Sequence, residues 1–274
     1  MSFKTQWLRY GPDSRHSGFL AFPERAAAPL PAVIVIQEAW GVDPHIEDVA
    51  LRVAKAGYAA LAPDLFADHG ERPPHLSRER METVKDFVNS LPPGVWANPA
   101  ARDEAMGRLP EPRRSQVGES FGALFGGALT RLDAFVPKLM DAARFLRSEH
   151  PLTRGAKVAC VGFCMGGGLS ALLACNDPEL SGAAIFYGSS PPADLVPKIA
   201  CPVTGFYGSL DQRINGGVPA FVDAMKAAGK SLEHQMYEGA QHGFFNDTRA
   251  TYHAGAVRDS FARFLAFLQR TIAT

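Results

Sequence analysis

Val158-Ala159-Cys160-Val161-Gly162-Phe163-Cys164-Met165-Gly166-Gly167-Gly168-Leu169-Ser170-Ala171-Leu172-Leu173-Ala174-Cys175 decides the fold of this chain. Its first part is short, apolar and rich in β-branched residues, which predicts a buried strand over 157–162; its second part predicts a helix over 165–176. Gly162-Phe163-Cys164-Met165-Gly166 therefore sits at a strand-to-helix turn. That is the nucleophile-elbow pattern G-x-S-x-G with a thiol in place of the hydroxyl. Glycines on both sides let the backbone turn tightly, leaving Cys164 at the C-terminal edge of a sheet, where the positive end of the helix favours a thiolate.

Other glycine-rich turns do not fit. The run lacks the G-x-G-x-x-G order of a dinucleotide site, and no Lys-Ser or Lys-Thr follows it as in a phosphate-binding loop. A catalytic thiol needs a base and an acid, and both occur downstream. Pro202-Val203-Thr204-Gly205-Phe206-Tyr207-Gly208 reads as a strand, with Asp211 just beyond it; Leu232-Glu233-His234-Gln235-Met236-Tyr237 reads as the next, with His242 in the loop that follows. Three groups at successive strand ends fall on one edge of a parallel sheet. In that arrangement His242 takes the thiol proton and later activates water, while Asp211 fixes its tautomer.

Ala32-Val33-Ile34-Val35-Ile36 reads as a fully buried strand, followed by Gln37-Glu38-Ala39-Trp40-Gly41. The loop after such a strand is expected to supply one oxyanion donor, the Ala39 amide, with the Met165 amide as the other. Glu38 then stands beside the thiol. Trp40, Tyr187 and Phe245 are the candidates for lining a substrate pocket.

Elsewhere strands and helices alternate. The expected elements are strand 32–37, helix 44–56, strand 58–62, helix 131–148, strand 157–162, helix 165–176, strands 182–187 and 202–207, helix 217–229, strand 232–237 and helix 251–272. His16–Pro23 is an edge strand or hairpin arm. Asp43 before Pro44 is a helix start, with a side-chain cap and a proline where no N–H bond is lost. This alternation predicts an α/β fold, a mostly parallel twisted sheet with helices on both faces. One domain spanning residues 1–274 is expected, carrying an insertion at about 66–130. Ser77–Val88 starts that insertion as a helix. Prolines then interrupt it, and Phe121–Leu129 reads as apolar and flexible. The insertion is expected to cap the sheet edge, with Trp96, Phe121 and Phe125 as lining, or else to form an oligomer contact. Arg113 and Arg114 are candidates for an anion.

These residues together resemble the dienelactone hydrolase (carboxymethylenebutenolidase) family of the α/β-hydrolase superfamily. The matching stretches are Val33–Glu38, Gly41–Ile46, Gly57–Leu65, Gly162–Gly167 and Gly239–Phe244, in the family's order. The resemblance implies a triad of Cys164, Asp211 and His242, and a Glu38 that pairs with the resting thiol until substrate disturbs the pairing. Two departures matter: the family's arginine four positions after the histidine, which helps hold a substrate carboxylate, is here Asn246, and the segment after Pro63-Asp64-Leu65, where the resemblance places a second arginine of that clamp, is too divergent for a residue-by-residue transfer.

The expected chemistry is two-step acyl transfer to water through a thioester, on a small lactone or activated carboxylic ester, with no metal or organic cofactor. A thiol acyltransferase or peptidase on the same residues, or a non-catalytic binding protein of this fold, are the alternatives. Lys plus Arg and Asp plus Glu both number 28, so no global field gathers nucleic acid or an anionic membrane. No apolar run reaches a membrane span, and the start of the chain lacks a signal-peptide core. The four cysteines form no C-x-x-C pair, which argues against a disulfide framework and for a reducing cytoplasm. A monomer or small homo-oligomer is expected.

Overall fold

The computed structural model describes residues 2–27, 29–92, 95 and 98–273. Trp96, expected in the cap lining, lies outside them. The elements in chain order are β1 (Phe3–Tyr10), β2 (His16–Pro23), β3 (Ala32–Ile36), α1 (Pro44–Lys55), β4 (Ala59–Pro63), α2 (Arg78–Ser90), α3 (Pro99–Gly107), α4 (Arg113–Phe125), α5 (Val136–Arg144), β5 (Val158–Phe163), α6 (Met165–Asn176), β6 (Gly182–Phe186), β7 (Val203–Gly208), α7 (Gln212–Asn215), α8 (Val218–Ala227), β8 (Leu232–Tyr237) and α9 (Ala254–Thr271).

The strands form one sheet in the order β1-β2-β4-β3-β5-β6-β7-β8. From β4 to β8 neighbouring strands are parallel, and the antiparallel hairpin β1-β2 extends the sheet beyond β4. Strand β2 is a hairpin arm, as its sequence suggests, but it is interior: β1, to which the β-rich N-terminus gave no definite bounds, is the edge. Its burial shows why. Most of β1 is exposed, so it lacks the apolar run that marks a buried strand, whereas every residue of β2 is buried.

The central strands are apolar at every position because both faces are covered. Ile34, Ile36, Leu61, Cys160 and Ile185 point to one side, where Leu139 of α5, Leu169 and Leu173 of α6 and Phe221 of α8 pack on them. Val33, Val35, Ala60, Val161 and Phe186 point to the other, against Val49 and Val53 of α1 and Phe264 and Leu268 of α9. Helix α1 begins as its sequence predicts. Asp43 accepts the Ile46 amide at 3.0 Å, and Pro44 fills the first turn.

The insertion differs from its expectation. Phe121–Phe125 belongs to α4 rather than to a flexible run, and the prolines start helices more than they break them: Pro99 opens α3 behind an Asn98 cap. A proline in the first turn loses no hydrogen bond, so its presence is compatible with helix onset. Residues expected as one helix over 131–148 divide into a 3-10 segment, α5 and a terminal π turn.

Strand order reverses between β3 and β5, whose chains leave the sheet in opposite directions. In open α/β sheets a crevice forms at that point, outside the C-terminal strand ends. The β3–β5 register sets Ile36 opposite Gly162, so the residues after each strand emerge side by side. Ile34 lies wholly buried at the centre of this pairing. Ile34→Ala is expected to cost about 2–5 kcal/mol, measured by urea unfolding.

Candidate functional site

The turn after β5 is made by backbone contact. A Cβ on Gly162 would lie 1.7 Å from the Gly166 carbonyl oxygen, and one on Gly166 would lie 2.4 Å from that of Ile36. Only glycine permits either approach. Between them Cys164 takes φ 56° and ψ −114°, a conformation that side-chain-bearing residues rarely adopt. Its amide donates to the Phe186 carbonyl at 3.0 Å, and its carbonyl accepts the amides of Gly167 and Gly168. The thiol is thereby placed at the N-terminus of α6.

Two other strand ends meet it. Asp211, beyond β7, is buried and caps the short helix α7, accepting weakly from the Ile214 amide at 3.4 Å. His242, in the loop after β8, lies 2.5 Å from Asp211 Oδ2 through Nδ1 and 3.1 Å from Cys164 Sγ through Nε2. About a quarter of the His242 side chain is exposed, so water reaches the imidazole. Burial alone would lower its basicity. The negative charge of Cys164 and the bond to Asp211 outweigh that and raise it from 6.5 to about 10, which favours the protonated ring.

Glu38 is almost wholly buried at the end of β3. Tyr187 Oη donates to its Oε1 at 3.1 Å, and Asn246 Nδ2 donates to its Oε2 at 2.9 Å. Cys164 is hydrogen-bonded to His242, not to Glu38, so the pairing of Glu38 with the resting thiol is not the arrangement here. Burial, then the charge of Glu38, keeps the Tyr187 phenol protonated and therefore a donor. Asn246 is itself fixed, its Oδ1 accepting the amide and hydroxyl of Thr248. In the sequence Asn246 stands out only for the arginine it replaces. A buried glutamate needs donors, and that requirement is the signal that could have found Asn246's role.

The amides of Ala39 and Met165 have no hydrogen-bond acceptor among the described residues. For Met165, the first residue of α6, this is the ordinary state of a helix N-terminus. Both amides follow the paired residues Ile36 and Gly162 by three positions, which brings them to the same crevice as Cys164.

The aromatic candidates divide. Tyr187 is wholly buried, its ring edge-on to His242 with centroids 5.2 Å apart and its hydroxyl on Glu38, so it supports the site from beneath rather than lining a pocket. Trp40 is buried and meets Phe125 of α4 at 6.2 Å, so the insertion does reach the turn after β3. Phe245 is 1% exposed, surrounded by Phe163, Phe186 and Phe261 in the core beneath the site; it is packing rather than a pocket wall. Arg114 is taken up by Glu111, which leaves it a poor candidate for an anion.

Among the described residues no group of three or more His, Cys, Asp or Glu is arranged to hold a metal ion. No described helix is long and apolar enough to cross a membrane.

Comparison with known proteins places the chain in a family. A protein of Saccharolobus solfataricus named "Putative carboxymethylenebutenolidase" is 35% identical over 254 residues, covering 92% of this chain and 93% of its own. The crystal structure of a Klebsiella pneumoniae protein described as "Putative Dienelactone Hydrolase" superposes with a TM-score of 0.72 at 25% identity, covering 97% of this chain and 98% of that one. Dienelactone hydrolase from Anabaena variabilis shares the fold, with a TM-score of 0.64 at 16% identity over 99% of this chain and all of the other. The family description "Dienelactone hydrolase family" matches residues 17–272, and with that match and these relatives in agreement, the chain belongs to that family.

Proposed function

We propose that this protein is a cysteine-nucleophile hydrolase that cleaves the ester bond of a small lactone or activated carboxylic ester through a thioester acyl-enzyme. Membership in the dienelactone hydrolase family supports ester hydrolysis by a dienelactone hydrolase-like enzyme. The observation that carries the finer reading is the continuous chain Cys164 Sγ, His242, Asp211, at 3.1 and 2.5 Å.

In this reading the Cys164 thiolate attacks the carbonyl carbon, and the amides of Ala39 and Met165 receive the oxyanion. The imidazolium of His242 protonates the departing alkoxide as the C–O bond breaks, leaving a thioester. Water, deprotonated by His242, then attacks that thioester and releases the acid, returning the proton to the Cys164–His242 pair. Asp211 fixes Nδ1 as the protonated nitrogen and stabilises the charged ring. A lactone or activated ester suits a thiolate because its leaving group departs readily, whereas an amide demands more from the acid. A residue 246 already committed to Glu38 also leaves no cation at that position for a substrate carboxylate. Trp40, beside Ala39, is the proposed contact to substrate; Tyr187, wholly buried with its hydroxyl on Glu38, acts through His242 and Glu38 instead.

Glu38 is proposed as a gate that acts by exchanging Tyr187 or Asn246 for the thiol. Its negative charge opposes thiolate formation, so Glu38→Gln should speed consumption of Cys164 by iodoacetamide several-fold. Equal rates of alkylation and of hydrolysis in the two proteins would dismiss the gate.

Cys164→Ala should lower turnover of small lactones and aryl esters by on the order of 10⁴-fold or more while the fold is retained. Turnover close to wild type in a folded Cys164→Ala protein would sink the thioester route.

The raised basicity of His242 gives a signed pH prediction. Because its folded value, about 10, lies above the ordinary 6.5, the imidazolium's contribution to stability is complete below about 6.5 and is lost as pH rises through about 10. The melting-temperature difference between wild type and His242→Gln should shrink across that window, and kcat should fall above it as the acid is lost. A difference that grows with pH contradicts this assignment of charge.

A further inference from the structure

The turn from Glu38 to Asp43 carries the proposed oxyanion donor Ala39, yet one backbone bond spans it, Gly41 N to Glu38 O at 3.3 Å. Its outer side borders a hollow of about 280 Å³ lined by Trp40, Val42, Asp43 and Pro44, with Arg72, Arg78 and other residues of the following segment opposite. Residues 38–43 are all buried, so what holds the turn on that side is the set of side chains that reach across to it.

Three cations from the segment after β4 converge on it. Arg78 Nη2 donates to the Val42 carbonyl at 3.0 Å and also pairs with Glu47. Arg72 is held by Asp64 at 2.7 Å and reaches the same carbonyl at 3.4 Å. Its guanidinium lies against Gly41, where a Cβ would come within 2.6 Å of Nη2 and 2.7 Å of Nη1. Lys85 Nζ, from α2, donates to Asp43 Oδ2 at 2.8 Å, with both side chains more than nine-tenths buried. The other oxygen of Asp43 caps α1. Burial would discharge Lys85, but Asp43 outweighs it, and Glu82, 3.6 Å away, and then Glu38 add to the attraction, so the ammonium is retained.

We propose that Lys85 and Arg72 are positioning residues, which fix the Glu38–Asp43 turn from outside the sheet so that the Ala39 amide stays aimed at the carbonyl oxygen of the bound ester. Neither touches the reacting atoms. An amide donor contributes to catalysis only when it is already in place as charge develops, so a displaced turn costs rate without costing fold. This inference rests on the oxyanion role given to Ala39 above.

The test compares wild type with Lys85→Met, Lys85→Arg and Arg72→Met. It measures kcat and KM on p-nitrophenyl acetate, the rate of Cys164 alkylation by iodoacetamide, and hydrogen–deuterium exchange of the peptide covering 37–43. Alkylation needs the thiolate but not the oxyanion donors. Expected for Lys85→Met is a loss of about tenfold or more in kcat, with KM and alkylation within about twofold of wild type and faster exchange at 37–43. Lys85→Arg should recover most of the rate. A folded Lys85→Met protein with wild-type kcat overturns the proposal. So does unchanged exchange, or a loss of alkylation that parallels the loss of turnover. Should Lys85→Met fail to fold because Asp43 is left buried and unpaired, Arg72→Met, in which that pair survives, is judged by the same outcomes. Exchange reads the clamp without reference to chemistry, whereas retained turnover in Cys164→Ala would count against the proposed function itself.

Discussion

Close approach of two backbones is the constraint on which this structure depends. Gly162 lies against the carbonyl of Gly166, and Gly166 against the carbonyl of Ile36, at separations that no Cβ could share. These contacts turn the chain sharply from β5 into α6 and press that turn onto the end of β3. The positive φ of Cys164 is the local consequence. Such a conformation persists only when its surroundings over-determine it, and here the bonds of Cys164 to Phe186, Gly167 and Gly168 do so.

From that turn the electrostatics follow. A thiol at a helix N-terminus faces an imidazole whose other nitrogen is bonded to a buried carboxylate, and these neighbours favour the protonated ring. A second carboxylate, Glu38, is buried in the same crevice but is satisfied by Tyr187 and Asn246. The site thus holds two acids in different employment: one orients the histidine, while the other is kept occupied by neutral donors. Around them the segment after β4 contributes cations to the turn that carries Ala39, so that part of the insertion braces the sheet edge rather than only covering it.

Much of this was legible along the chain. The apolar runs at β3 and β5 identify central strands because residues buried on both faces must all be apolar, and Asp43-Pro44 marks a helix start by a mechanism confined to neighbouring residues. Strand β1 was not legible, since an exposed edge carries no apolar signal. Helix α4 was obscured by Gly118 and Gly122, residues of low helix propensity whose helix is held by packing of Val117 and Leu124. The burial of Phe245 was hidden for a similar reason: nothing local distinguishes a ring that faces a crevice from one that faces the core.

By itself the sequence determined which chemical groups exist and at which strand ends they fall: the thiol in its glycine turn, Asp211 past β7, His242 past β8 and a glutamate past β3. Local sterics and hydrophobic periodicity act between near neighbours, so they can be read directly. Tertiary structure alone decided the pairings. That Cys164 bonds to His242 and not to Glu38, that Asn246 serves Glu38, and that Lys85 meets Asp43 all depend on distances between residues far apart in the chain. Buried polar groups take whichever partners the packed core brings within reach, and that choice is made by the whole fold.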